Sequence, residues 1–225
     1  MKHISILTGA GISAESGVKT FRDHNGLWEG HDVMQVATPE GFEQHPELVL
    51  DFYNQRRRQL KTVLPNPAHQ RLVDLEKQFK VDIITQNVDD LHERAGSSNI
   101  IHLHGELMKV RSINNASITY DWTDDLKLGD VDKDGHQLRP HVVWFGEAVP
   151  MMESAIHIIK NTDIIIIIGT SMQVYPAAGL IDFAPDQTPI YFIDPHPSIS
   201  SSKHIQVYAE NATTGVEKVV NQLLG

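Results

Sequence analysis

Apolar residues in this chain fall in short, unalternating runs separated by segments of helical period. The clearest run is Asp163-Ile164-Ile165-Ile166-Ile167-Ile168-Gly169-Thr170-Ser171. Five consecutive isoleucines leave no polar face, which predicts a strand covered on both sides, as in a parallel sheet. Residues 3–8, 81–85 and 189–194 read as similar strands, and 205–208 as a shorter one. Helical segments lie between them. Asn66-Pro67 caps and starts a helix that places Leu72, Leu75 and Phe79 on one apolar face, and residues 213–224 form a terminal helix. Strands alternating with helices predict an α/β fold built on a doubly wound, Rossmann-like parallel sheet. Two stretches break the rhythm. Residues 23–38 are polar and glycine-containing, as expected of an ordered loop over a site. Residues 111–139 carry many Asp, Asn, Lys and Gly with weak strand signals, and read as part of a small inserted second module.

The first strand opens directly into Gly9-Ala10-Gly11-Ile12-Ser13-Ala14. Glycines where a strand meets a helix start allow a tight turn and close backbone approach, and the helix end offers N–H groups to an anion. The spacing fits the dinucleotide fingerprint G-x-G-x-x-G/A, which a structural turn also satisfies. A dehydrogenase would place an acidic residue about 20 positions on, at a strand end. Glu29 and Asp32 stand near that distance but inside the polar loop, so the hydride-transfer reading fails its second test.

Composition narrows the classes further. With 225 residues the chain can bury one full core, and 40% hydrophobic with 21% charged residues fits a globular protein. A formal net charge of -10 argues against nucleic acid as a partner, since that binding rests on Lys and Arg neutralising phosphates. The chain has no cysteine, which excludes disulfides, thiolate metal sites and a cysteine nucleophile. No apolar run is long enough to span a membrane or to act as a secretory signal, so the expected compartment is the cytoplasm.

Polar clusters gather at the ends of the predicted strands, where ligands bind in open α/β sheets. They are Thr85-Gln86-Asn87-Val88-Asp89, His102-Leu103-His104-Gly105-Glu106, Gly169-Thr170-Ser171 and Asp194. Together with Gly9-Ala10-Gly11-Ile12-Ser13, Phe21-Arg22 and Val142-Val143-Trp144-Phe145-Gly146-Glu147, they stand in the order found in the sirtuins, and the chain resembles that family over nearly its whole length. The resemblance implies NAD as a consumed co-substrate and acylated protein lysines as substrates, with acyl transfer to ADP-ribose and release of nicotinamide. It implies that Gly9, Ala10, Gly11 and Ser13 hold the pyrophosphate, completed by Gly169, Thr170 and Ser171. Phe21 and Arg22 would close over the nicotinamide end, with Asn87 and Asp89 ordering its pocket, Gln86 near the ribose, and Asp194 and Ala212 toward the adenosine. Helix capping is the plain alternative for Asn87 and Asp89.

His104 matches the family's base, and an imidazole of ordinary pKa near 6.5 suits proton transfer at neutral pH. His102 is its competitor, because alternation along a strand points both the same way. Val143, Phe145 and Gly146 resemble the strand segment that receives the substrate peptide by backbone pairing, with a buried aromatic strand as the alternative. Tyr53 and Arg56, three apart, share a helix face. They resemble the Tyr-x-x-Arg pattern of sirtuins that accept succinyl- and malonyl-lysine, where a guanidinium and a phenol bind the distal carboxylate. A solvated basic face, in Arg56-Arg57-Arg58, remains the alternative there.

The chain departs from the family where many sirtuins hold zinc. Ser112 and Asn115 stand where a cysteine pair is expected, and His136 and His141 show no ligand spacing, so the small module is expected to be zinc-free and packed around Tyr120, Trp122 and Leu126. The division expected is one catalytic domain over 1–225. Its large part covers about 1–22, 66–104 and 145–225, and its small module about 23–65 and 105–144. A mono-ADP-ribosyltransferase and a non-catalytic NAD-binding protein are the competing functions.

Overall fold

A computed structural model describes residues 1–19, 27–28 and 30–225, with backbone alone at 27–28. The expected sites Phe21 and Arg22 lie outside the described residues. In chain order, β1 (His3–Thr8) leads through α1 (Gly11–Ala14) to the two-residue strands β2 (Leu27–Trp28) and β3 (His31–Asp32). Four helices follow: α2 (Val33–Val36), α3 (Pro39–Gln44), α4 (Pro46–Leu60) and α5 (Pro67–Leu75). Then come β4 (Lys80–Thr85), α6 (Leu91–Ala95), β5 (Ile100–His102), β6 (Gly105–Ser112), β7 (Thr119–Asp121) and β8 (Leu138–Val142). The chain closes with α7 (Met152–Lys160), β9 (Ile164–Ile168), a 3-10 segment (Ala177–Phe183), β10 (Ile190–Ile193), β11 (Ile205–Tyr208) and α8 (Ala212–Leu224).

Six strands form one sheet in the order β11-β10-β9-β1-β4-β5, and every pairing is parallel. The isoleucine run explains why it sits near the middle. Ile164, Ile166 and Ile168 pack with Leu72, Leu75, Val216 and Val219 of α5 and α8. Ile165 and Ile167 face the other way, into Ala155, Ile159 and Phe192. A polar residue at any of the five would be stranded in a core, and burying each isoleucine contributes on the order of 2 kcal/mol. Asn66 caps α5 as expected, its side chain accepting from Ala68 N–H.

The weak strand signals of residues 111–139 resolve into a separate antiparallel sheet, β7-β6-β8. Leu126 packs there with Leu50, Val110 and Leu138, and Trp122 lies partly buried against them. Tyr120, expected in that core, is exposed on the edge strand β7. At the positions expected for a cysteine pair, Ser112 Oγ accepts from Asn114 N–H and Asn115 Oδ1 from Ser117 N–H. These side chains close the turn by hydrogen bonds. In the polar loop, the Asp32 carboxylate caps α2 through Met34 N–H, a structural duty far from any strand-end ribose site.

Candidate functional site

In the large sheet, strand order reverses between β1 and β9, because the chain winds outward from β1 in both directions. Ligands of open α/β sheets bind in the crevice at such a switch point, beyond the carboxyl ends of the strands. Two glycine turns meet there. Gly9 N–H donates to Ile168 O at 3.0 Å and Gly11 N–H to Gly169 O at 2.8 Å. A Cβ on Gly11 would lie 2.5 Å from Gly169 Cα, so the backbones touch and no side chain fits between them. Ile12 and Ser13 N–H fold back onto Gly9 O and Ala10 O. Among the described residues nothing accepts from Ala10 N–H, and Ala10 lines the cavity above. The glycine fingerprint therefore serves turn-on-turn packing first and leaves Ala10 N–H for an anion.

The cavity has a volume of about 300 Å³. Both glycine turns line it, with Gln86, Asn87, Asp89, Tyr53, His104, Ser171 and the segment Val143 to Glu147. Ser13 is buried behind this surface. Its Oγ donates to Asp89 Oδ2 at 2.9 Å and accepts from Asn87 Nδ2 at 3.2 Å, so it organises the pair that faces the cavity. Asp89 also accepts from Leu91 N–H. Burial dominates nonetheless, and pushes the Asp89 carboxyl from 3.8 up to about 6. The capping alternative is thus partly met at Asp89, whose second oxygen is turned to Ser13.

The two histidines separate cleanly. His102 Nδ1 bonds Asn87 O at 3.0 Å and its Nε2 bonds Glu93 Oε1 at 2.7 Å, so both ring nitrogens are engaged. His104 Nδ1 lies 3.0 Å from Gln86 O. A carbonyl only accepts, so Nδ1 carries the hydrogen and Nε2 keeps its lone pair. Among the described residues Nε2 has no partner. Burial pulls the His104 imidazole below its ordinary pKa, against the carbonyl bond that raises it. The ring is therefore neutral, and ready to accept a proton, at neutral pH.

The segment expected as a peptide-receiving strand is a turn. Strand β8 ends at Val142, and Gly146 has φ +88, a left-handed value that strand pairing does not use. Val143 N–H donates to His104 O, Phe145 N–H to Ala37 O, and Trp144 N–H to the Glu147 carboxylate at 2.7 Å. Phe145 is 46% exposed at the rim. Tyr53 and Arg56 both face this end of the fold but not one space. Tyr53 lines the main cavity, whereas Arg56 lines a smaller recess that shares Val18, Lys19, Val88 and Asp89 with it. The Arg56 guanidinium carbon lies 3.1 Å from the Phe52 ring centroid, and Nη1 donates to Phe52 O. Asp194 and Ala212 do not line the cavity. Asp194 follows β10, buried, and accepts from His196 N–H; Ala212 opens α8, also buried.

Two residues escaped the sequence reading, Arg111 and Arg139, and with them the role of Glu147. Glu147 accepts from Arg111 and Arg139, and the Arg139 guanidinium stacks on Trp144. No local spacing marks a carboxylate held by arginines from two other strands. Among the described residues no group of three or more His, Asp or Glu could hold a metal ion, and no helix is long and apolar enough to cross a membrane.

A family model described as the Sir2 family matches residues 9–176. An NAD-dependent protein deacylase of Helicobacter pylori is 56% identical over 225 residues, covering 100% of this chain and 98% of its own. Another NAD-dependent protein deacylase, from Bacteroides thetaiotaomicron, is 51% identical over 231 residues, with 100% and 99% covered. Among solved structures, a complex of a Sir2 homologue with NAD superposes at a TM-score of 0.88 with 37% identity, covering 99% of this chain and 90% of that one.

Proposed function

The chain belongs to the Sir2 family, and from that premise we propose that it removes acyl groups from protein lysines while consuming NAD, giving nicotinamide and O-acyl-ADP-ribose. The observation that carries the reading is His104: a neutral imidazole of fixed tautomer, at a cavity built from two touching glycine turns and the Asn87–Ser13–Asp89 network. The residues present fit NAD, since Gly9 and Gly11 let their turn close onto Gly169 and Thr170, where a Cβ would collide, and Ala10 N–H is left for a phosphate.

When bound, NAD supplies a ribose carbon from which nicotinamide can leave and hydroxyls that can receive the acyl group. Ala10, Gly169, Thr170 and Ser171 bind its pyrophosphate and ribose. Asn87 and Asp89 orient the nicotinamide end, supported by the Ser13 bonds that fix their side chains, and Gln86, whose amide donates to Thr170 Oγ1, lies toward the ribose. Phe21 and Arg22 are assigned to the same end by the family pattern alone. His104 Nε2 takes a proton from a ribose hydroxyl, which its neutral state at pH 7 permits. Val143, Phe145 and Gly146 receive the acylated lysine and its peptide, and the exposed Phe145 ring covers the entrance against water. Asp194 and Ala212 go to the adenosine end, supported by their places at the end of β10 and the start of α8.

Succinyl and malonyl groups are accepted alongside acetyl. That finer reading rests on Tyr53 at the cavity and Arg56 at the adjoining recess, three residues apart on α4, with Val18, Lys19, Val88 and Asp89 common to both spaces. Arg56→Met is expected to lose desuccinylation much more than deacetylation, and an equal loss would overturn the acyl assignment. We also divide the chain into a large part at about 1–22, 66–104 and 145–225 and a small module at about 23–65 and 105–144, and place it in the cytoplasm. Mass spectrometry of products from an acetyl-lysine peptide and NAD tests the reaction: O-acetyl-ADP-ribose is expected, and free acetate without it would contradict the mechanism.

A further inference from the structure

Trp144 is held from three directions. Its backbone N–H donates to Glu147 Oε2 at 2.7 Å. Its ring lies under the Arg139 guanidinium, whose carbon is 3.2 Å from the ring centroid. Its other neighbour is Phe42, with ring centroids 5.3 Å apart. Arg139 in turn is locked, with Nη1 on Glu147 Oε1 at 2.6 Å and Nη2 on Oε2 at 3.1 Å and on Val142 O at 2.9 Å. Arg111 Nη2 holds the same carboxylate at 3.0 and 2.9 Å. Two-point contacts of this kind fix the carboxylate in rotation as well as position.

All this fixity converges on one outward contact: the Trp144 indole N–H donates to the Tyr53 hydroxyl at 2.9 Å. An indole N–H can only donate, so it occupies a lone pair of the phenol oxygen. The phenol hydrogen must then point away from Trp144. Tyr53 is fully buried yet lines the cavity, and burial pushes its pKa up, so the hydroxyl keeps its hydrogen.

We propose that Trp144 is a specificity-positioning residue: its indole N–H orients the Tyr53 hydroxyl to donate to the distal carboxylate of a succinyl- or malonyl-lysine. The proposal rests on the acyl preference put forward above. An acetyl group ends in a methyl and has no use for that hydrogen, so the orientation matters only for the acidic acyl groups. Arg139, Arg111 and Glu147 act one step further back, by fixing Trp144.

Kinetics on matched succinyl- and acetyl-lysine peptides at saturating NAD test this with Trp144→Phe, Tyr53→Phe and the double variant. Phenylalanine keeps an aromatic ring under Arg139 and removes the indole N–H together with the bulk of the fused second ring. Trp144→Phe is expected to lower kcat/KM on the succinyl peptide roughly tenfold, the worth of one well-placed bond to a charged group, and on the acetyl peptide less than about twofold. The double variant should match Tyr53→Phe alone, because both changes remove the same contact. Equal losses on both peptides, or effects that multiply in the double variant, would overturn the proposal. A selective Tyr53→Phe beside an unselective Trp144→Phe removes the positioning role and leaves the acyl preference standing. If Tyr53→Phe leaves the succinyl-to-acetyl ratio unchanged, the acyl preference itself falls and the proposal with it. Arg139→Lys provides the same comparison should Trp144→Phe fold poorly. It keeps a cation beside Glu147, loses the guanidinium over the Trp144 ring, and is expected to show the same selective loss.

Discussion

Asp89 carries a cost that can be measured. Its carboxyl is buried, and burial lifts its pKa from 3.8 to about 6 despite the bonds from Ser13 and Leu91. The sign follows from proton counting. Between pH 3.8 and about 6 the folded chain holds more protons at this site than the unfolded chain, so stability falls as pH rises through that window. Above it, both states are ionised and the full cost is present. A rise of that size corresponds to on the order of 3 kcal/mol, a large part of the 5–15 kcal/mol typical of a domain. Asp89→Asn removes the ionisable group and keeps the shape. The Asn oxygen can accept from Leu91 N–H, and the Ser13 hydroxyl, able to accept as well as donate, can receive the new amide. Urea unfolding of both proteins from pH 4 to 7.5 is the assay. The variant is expected to gain on the wild type by about 2 kcal/mol as pH rises from 4 to 6, with only a few tenths more by pH 7.5. It should be more stable at pH 7 and a poorer enzyme, with a raised KM for NAD, which is the signature of a charge kept for function. A stability difference that is flat, or that narrows as pH rises, would refute the reasoning.

Further predictions concern His104 and the glycine turns. Because burial holds the His104 imidazole below 6.5, kcat/KM for an acyl peptide should persist to lower pH than an ordinary histidine allows, then fall as Nε2 is protonated. An acid limb centred above 6.5 would contradict the assignment. Removing that base in His104→Gln should cost about a hundredfold or more in kcat, with thermal stability little changed. Gly11→Ala forces a Cβ to 2.5 Å from Gly169 Cα, where neither backbone can yield cheaply. A loss of roughly 1–3 kcal/mol in stability and a raised KM for NAD are expected, and a variant of unaltered stability and KM would refute the turn-on-turn contact.

Much of the sheet was legible because its physics is local. An unalternating isoleucine run has only one economical place, between two layers of helices, and the Asn66-Pro67 start needs no distant partner. The strand-end clusters at Gln86–Asp89, His104 and Gly169–Ser171 were legible for the same reason, since turns at the carboxyl ends of neighbouring parallel strands meet at the switch point, whereas Asp194, after β10, does not line the cavity. Long-range contacts were not legible. Residues 143–147 carry strand-forming valine and aromatics, yet a carboxylate fixed by Arg111 and Arg139 bonds Trp144 N–H and closes a turn instead. Among the three adjacent arginines, sequence singled out Arg56. Arg57 is the one most deeply buried, donating to Leu107 O and Asn54 Oδ1, while Arg58 pairs with Asp125 at the surface. Which arginine turns inward depends on a carbonyl 50 residues away. Tyr120 fails for a related reason, because its place on the edge strand β7, which local sequence does not reveal, leaves even an aromatic exposed.

Nicotinamide release from NAD, followed with a lysine peptide supplied in acetylated, succinylated and unmodified forms, tests the central claim most directly. Release that requires an acyl group and is abolished in His104→Gln is the predicted result. Release driven equally by the unmodified peptide would point to ADP-ribosyl transfer, and no release with any of the three would mean that the cavity binds NAD without cutting it; either outcome would contradict the account.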